Sequence, residues 1–374
     1  MRSQLGQTTT FDPFFVNQGI KGASSAPDRA AVDAFKGILI SLIVLGHNTL
    51  FFAACPLCFN VLYNFHVACF LLLPFIVPGA AVGRAGLKDR LARYFVPHLL
   101  FFSLACLLYL LLKVPWEPAA LVDWVGKVSL AVVISNQEHY KDACGFGLFW
   151  FLPALFAMVV LLGAYRAAGP RGRGALLGAT LLAHGLLGLL PNSPMAVVPW
   201  TLDLVLFLFP LGLAVAVLWH RCGGRVWFHA GCLVVFVVCI YASVRTNSYG
   251  MNNGGRLLAL DRPVALVFHD LYLIAAFFGL LGLAWPLRST LLAFIGRRSL
   301  FIFLAHSFVW QFLVQTGLVG LMAAGIASVW LAVAVSFLLT MALTLGASLL
   351  VEQHQRLYRL IFPNKGGNTI SLPG

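Results

Sequence analysis

Charge is scarce in this chain. Only 10% of its 374 residues are Asp, Glu, Lys or Arg, and just 12 are acidic. A soluble globular domain carries about a quarter charged residues and about half apolar ones. Here 60% are hydrophobic and the mean hydropathy is +0.91, which excludes a soluble enzyme or binding module. Long polar stretches are missing too, so no separate soluble domain with its own core is expected. The first 30 residues are rich in Gly, Ser, Thr and Gln and lack a basic n-region leading into a short apolar core. They read as a disordered cytoplasmic tail rather than a cleaved signal peptide. The formal charge is +13, but the basic residues form no single stripe, which removes nucleic acid as a partner. No inverted repeat of the kind that marks many transporters is evident, and no metal site is expected.

What the chain does have is apolar runs of about 20 residues, the length that crosses a bilayer as a helix. Ten occur, at roughly 34–54, 61–82, 94–113, 147–165, 174–191, 196–219, 226–244, 264–285, 298–316 and 322–351. The expected fold is all-α: a ten-helix membrane domain over 31–352, with cytoplasmic tails at 1–30 and 353–374. With the N-terminus inside, every basic residue except Lys113, Lys127, Lys141, Arg245, Arg256 and Arg262 falls on the cytoplasmic side. That asymmetry supports an even number of spans with both ends in the cytoplasm. Two outer loops exceed ordinary connections. The 114–146 loop contains Trp116, Trp124, Glu138, His139, Lys141 and Asp142, and its 120–134 portion is suited to the interface. The 245–263 loop is polar and turn-rich, suited to hydroxylated ligands.

Ionisable groups at membrane depth are costly and point to function. His47 lies deep in the first run, eleven residues after Lys36. Eleven residues is close to three turns, so both side chains share one face about 16 Å apart. Adjacent antiparallel helices place His66 at a depth similar to His47, with Asn64 beside it. Asp203, His269 and Asp270 also fall in the outer half. Such imidazoles and carboxylates suit proton transfer, so His47, His66 and Asp203 are candidate catalytic residues. Asn64, Trp150, His269 and Asp270 are candidates for holding a substrate. Lys36, Arg84, Lys88, Arg90, Arg93, Arg297 and Arg298 gather at the cytoplasmic edge, and His306 is read with them. Guanidinium and ammonium groups there suit phosphates, although the positive-inside rule alone also produces a basic edge. His184, His220 and His229 lack such company and read as packing or interface residues. Most of the eight cysteines fall within apolar runs as small buried hydrophobes. Cys55 and Cys58, at the outer end of the first run, are placed for a structural disulfide in an oxidising compartment; a redox pair would lack the usual βαβ setting.

In order along the chain, Asp33-x-x-Lys-Gly…Gly-His47, Phe65-His-Val-Ala-Cys-Phe70, Arg90-x-x-Arg-Tyr-Phe-Val-Pro97, Leu148-Phe-Trp-Phe-Leu-Pro-Ala-Leu-Phe156, Pro199-Trp-Thr-Leu-Asp203 and Phe294-Ile-Gly-Arg-Arg-Ser-Leu-Phe-Ile-Phe-Leu-Ala-His306 follow a known pattern. Over about 29–315 the chain resembles the acyltransferase 3 family, most closely its fucose-4-O-acetylase-like members. Two departures are Lys36 where the family often has arginine, and Cys69-Phe-Leu-Leu-Leu-Pro74 where it usually has a Ser-Gly pair. The resemblance implies a multi-pass enzyme of the bacterial inner membrane that O-acylates a sugar of a surface or exported glycan. Its co-substrate would be cytoplasmic acyl-CoA, commonly acetyl-CoA, with no permanently bound cofactor. It implies His47 as catalytic histidine, Lys36 in the place often held by arginine, and Arg90 with Arg93 on the CoA side; the basic edge offers Lys36, and Arg297 or Arg298, to hold the CoA phosphates with them. The partners would be acyl-CoA, a carbohydrate or lipid-linked glycan acceptor, and membrane lipids. The alternative is a transporter or flippase for a lipid-linked sugar or anionic solute, whose intramembrane histidines would couple protons. A non-catalytic member of a polysaccharide export complex is a third reading.

Overall fold

The structure, a computed structural model, describes residues 27–77, 84–189, 198–246, 262–288, 291–326 and 328–363. Most of the expected N-terminal tail, most of the 245–263 loop and the end of the C-terminal tail lie outside these. Among the described residues every regular element is a helix.

The first apolar run is not one helix. Asp28 caps α1 (Arg29–Gly46) by accepting from Ala30 N at 3.0 Å. The helix stops because Asn48 competes for the next amides: its Oδ1 accepts from Leu50 N at 2.9 Å and Phe51 N at 3.4 Å, starting α2 (Thr49–Ala54). His47 therefore sits at a joint, with φ −90° and ψ 0°, rather than inside a continuous helix. The Asn48 amide nitrogen donates across to Ser336 Oγ at 2.8 Å. Cys55 and Cys58 are disulfide-bonded at the start of α3 (Pro56–Tyr63), where Pro56 needs no amide partner. After a break at Asn64 and Phe65 the span resumes as α4 (His66–Leu72) and ends in a tight turn at Leu73–Phe75.

The 30-residue α5 (Arg84–Lys113) leads into α6 (Pro118–Ile134) and α7 (Gln137–Cys144), so the long outer connection is helical. Trp124 Nε1 donates to Ala143 O at 2.9 Å, joining α6 to α7. Fully buried Tyr140 donates to Ser135 Oγ and meets His98 Nε2, both at 3.0 Å, which fastens α7 to α5. Next come α8 (Phe151–Ala167), α9 (Pro170–Leu189), α10 (Leu202–Cys222), α11 (Val226–Thr246) and α12 (Arg262–Ala284). The short α13 (Leu291–Arg297) meets α14 (Ser299–Gln315) at 85°. Then follow α15 (Leu318–Gly325), α16 (Val329–Gln353) and α17 (Gln355–Ile361). Ile361 and Phe362 pack with Phe301 and Ala305, so this part of the expected tail is docked on α14.

Among the described residues eight helices are long and apolar enough to cross a membrane, and the bent α13–α14 pair makes a ninth. The remaining run of the sequence reading is the first, 34–54, which forms α1 and α2; α1 carries Arg29, Asp33 and Lys36 within its 18 residues.

Two glycines bring α1 and α13 into backbone contact. A Cβ on Gly37 would run into the Leu292 carbonyl, and one on Gly296 into the Asp33 carbonyl. With no apolar drive between helices in lipid, such close approach is a main source of packing energy. On α16, buried Ser336, Thr340, Thr344 and Ser348 recur every four residues. Thr340 and Thr344 bond back to the carbonyl four residues earlier at 2.8 and 2.7 Å, so these hydroxyls cost no unpaired polar group.

Gly296→Ala should force α13 off α1 and destabilise the protein by about 1–3 kcal/mol, the usual cost of overpacking. Gly346→Ala, which meets open space, should leave stability unchanged or slightly raised. Thermal unfolding in detergent, followed by tryptophan fluorescence, reads both.

Candidate active site

The joint between α1 and α2 carries the first functional side chain. His47 Nδ1 donates to Ile43 O at 2.8 Å. The same local bond recurs twice: His66 Nδ1 donates to Leu62 O, and His306 Nδ1 to Ile302 O at 3.0 Å. Each ring is thus oriented by the carbonyl four residues back. Because a carbonyl only accepts, the proton of the neutral ring is on Nδ1, and Nε2 carries the lone pair. Each Nε2 can therefore act as a base. Ser307 Oγ lies 3.3 Å from His306 Nε2, whereas buried His66 Nε2 has no hydrogen-bond partner among the described residues.

The rings cluster. His47 and His306 lie edge-on with centroids 4.9 Å apart. Tyr63 lies 6.3 Å from His47 and 4.9 Å from His66, and its hydroxyl donates to Gly46 O at 3.1 Å. The sequence reading paired His47 with His66 and placed His306 at the cytoplasmic edge. The structure brings His306 up against the His47 ring, and Tyr63 stands within reach of both His47 and His66. The glycine contact explains this correction: His47 is ten residues beyond Gly37 and His306 ten beyond Gly296, so both helices climb equally from one shared level. Because α13 turns aside at 85°, α14 starts its climb from that level.

Asp203 is buried at the start of α10, where its Oδ1 accepts from Leu204 N at 2.9 Å. Trp200 and Thr201 just before it have left-handed φ of 60° and 48°, a strained approach for non-glycine residues. Asn64 ends α3 two residues before His66. Trp150 precedes α8, its ring 6.1 Å from Phe151. His269 and Asp270 belong to a separate group: Asp270 meets His269 Nδ1 at 3.4 Å and His184 Nε2 at 3.0 Å. His184 Nδ1 meets Phe207 O at 2.8 Å. His184, read from the sequence as packing, thus joins α9, α10 and α12 through both nitrogens. Facing two acceptors, it donates twice when Asp270 is ionised, which makes an imidazolium–carboxylate pair.

A cavity of about 460 Å³ opens between α1, α4, α5, α8 and α14. Lys36, Arg90 and Arg93 line it. Arg297 is exposed at the end of α13, and neither it nor Arg298 is on the wall. Arg298 pairs with Glu352 at 2.6 Å and lies over the Phe294 ring at 3.9 Å. Arg166, which the sequence reading used only for topology, lines the cavity instead. Its signal was available: Leu155, Val159, Leu162 and Arg166 follow at helical spacing and share one face. Among the described residues Asp89 is the one carboxylate on the wall, against these four cations, so the lining favours an anionic ligand. Asp33, off the wall, pairs with Lys36. At the apolar end Phe303 stands 4.7 Å from Phe151 and 6.1 Å from His306. Cationic cavity, Phe303, His306 and His47 thus follow in sequence. Among the described residues no group of three or more His, Cys, Asp or Glu could hold a metal.

The family described as an acyltransferase domain, acyltransferase 3, matches residues 29–348. The chain belongs to the acyltransferase 3 family. No curated protein and no solved structure matches it. The family makes this chain a membrane acyltransferase, and the match spans α1 through most of α16.

Removing one member of a part-buried hydrogen-bonded pair leaves the other unsatisfied at about 1–3 kcal/mol, whereas replacing both by apolar groups is nearly neutral. Asp270→Asn should therefore lower the unfolding temperature clearly, with Asp270→Leu plus His184→Leu restoring most of it.

Proposed function

We propose that this acyltransferase moves an acetyl group from cytoplasmic acetyl-CoA to a sugar hydroxyl of a surface or exported glycan in the bacterial inner membrane, as fucose-4-O-acetylase-like members do. The observation that carries this reading is the cationic cavity whose apolar end leads through Phe303 and His306 to His47. Phosphates of CoA rest on Lys36, Arg90, Arg93 and Arg166. Arg297 and Arg298, which lie off the cavity wall, have no part in that binding.

A sugar hydroxyl becomes a competent nucleophile only as its proton leaves, and a positioned base contributes about 10²–10⁴ in rate. His47 Nε2 takes that proton while the oxygen bonds the thioester carbon. The carbon–sulfur bond then breaks, and the proton passes to the departing thiolate, giving the acetyl ester and free CoA. His306 lies against the His47 ring, and its Nε2 supports the imidazolium that forms. His66 and Asp203 serve the acceptor side with Asn64 and Trp150. His269 and Asp270 have a structural part in the pair with His184, beside the contact they offer an acceptor.

Turnover of acetyl-CoA by the protein in nanodiscs, with a glycan extract as acceptor, tests the reading. His47→Ala should lower kcat/KM by about 10²–10⁴. Arg166→Ala should raise KM for acetyl-CoA about tenfold, the loss of one charge-assisted contact, with kcat nearly constant. Folded protein that neither binds nor consumes any short acyl-CoA would overturn it.

A further inference from the structure

The cavity is a slot with two chemically different ends. On α8 its wall runs from Phe151 through Leu155, Val159 and Leu162 to Arg166, one face followed for fifteen residues or ~22 Å. Arg166, Arg90 and Arg93 mark one end. The other is bounded by three rings from three different elements: Phe151 from α8, Phe303 from α14 and Phe70 from α4. Phe151 lies 4.7 Å from Phe303 and 6.0 Å from Phe70, so the rings touch as a plug. Phe151 and Phe303 are each only 5% exposed. Immediately past the plug is His306, which is completely enclosed, its ring 6.1 Å from Phe303. His47 lies behind it, off the cavity wall and half-buried.

We infer that the Phe70–Phe151–Phe303 plug sets the length of the acyl group this enzyme accepts, admitting a two-carbon group past Phe303 to the histidines and rejecting longer chains. The inference rests on the proposed use of acyl-CoA and adds the residues that select among acyl-CoAs. With its phosphates on the cations, the donor is held at one end, so every added methylene must enter the space filled by the three rings. Close-packed aromatic walls yield little volume without shifting their backbones. A thioester carbon carrying one methyl needs only a rotation of Phe303 about its own side-chain bonds. A chain of eight carbons needs the plug removed altogether. Of the three rings, Phe303 is a specificity residue: it bears on the size of the acyl group and not on the proton transfer at His47.

The test compares acetyl-, butyryl- and octanoyl-CoA in wild type, Phe303→Ala and Phe303→Leu, in nanodiscs. It reads both CoA release and competition for binding against labelled CoA. Wild type should prefer acetyl- over octanoyl-CoA by at least tenfold in kcat/KM. Phe303→Ala should reduce or reverse that ratio by at least tenfold while CoA itself binds as in wild type. Phe303→Leu, closer in volume and the variant to use if the alanine form does not fold, should shift butyryl-CoA most. An unchanged chain-length ratio in folded variants, with wild type active on acetyl-CoA, overturns the plug alone. Absence of both turnover and binding with every acyl-CoA in folded wild type overturns the plug together with the function it rests on.

Discussion

Contact between the backbones of α1 and α13, through Gly37 and Gly296, is the constraint from which the site follows. Each glycine stands where a side chain would collide with a carbonyl of the other helix. In lipid the tail phase is as apolar as leucine, so helices gain little by hiding apolar surface and much by close fit and polar pairing. The contact therefore stabilises the pair and also fixes its register. From it His47 and His306 rise by the same number of residues and come edge to edge.

Polar groups inside the bundle are handled locally before they are handled across helices. All three clustered histidines bond the carbonyl four residues back, and so do Thr340 and Thr344. Such bonds avoid unpaired donors in a low-dielectric interior, where these would cost several kcal/mol. The imidazoles are left with one nitrogen oriented and the other available for chemistry. Asn48 adds the one local choice that differs: it recaps the chain and breaks the helix beside His47. A residue at a helix break has freedom that an interior position lacks: His47 stands at the joint of α1 and α2 and His66 at the joint of α3 and α4, whereas His306 lies inside α14.

Positive charge and titratable groups occupy separate compartments. Lys36, Arg90, Arg93 and Arg166 converge on the slot although they come from three helices. The histidines lie beyond its apolar end. Arg298 shows why proximity in sequence is a poor guide to this division: adjacent to the same segment, it is taken by Glu352 from the far end of α16. In the proposed reading, this separation would keep an anionic ligand's charge at the cations and its uncharged end toward the neutral imidazoles.

Local chemistry in the sequence determined the membrane class, the apolar runs, the asymmetry of basic residues and the singling out of His47, Lys36, Arg90 and Arg93. These rest on hydropathy and helical spacing, which need no partner segment. The break at Asn48 was also local, but an apolar run hides it, because capping is visible only against a helix end already known. Tertiary structure alone decided that His306 joins His47, that Arg166 joins the cations while Arg298 pairs with Glu352 off their wall, and that His184 pairs with Asp270. Each of those depends on the relative depth and rotation of helices far apart in the chain. In a bundle whose helices are nearly uniformly apolar, that register is set by a few glycines and polar contacts rather than by any pattern within one helix.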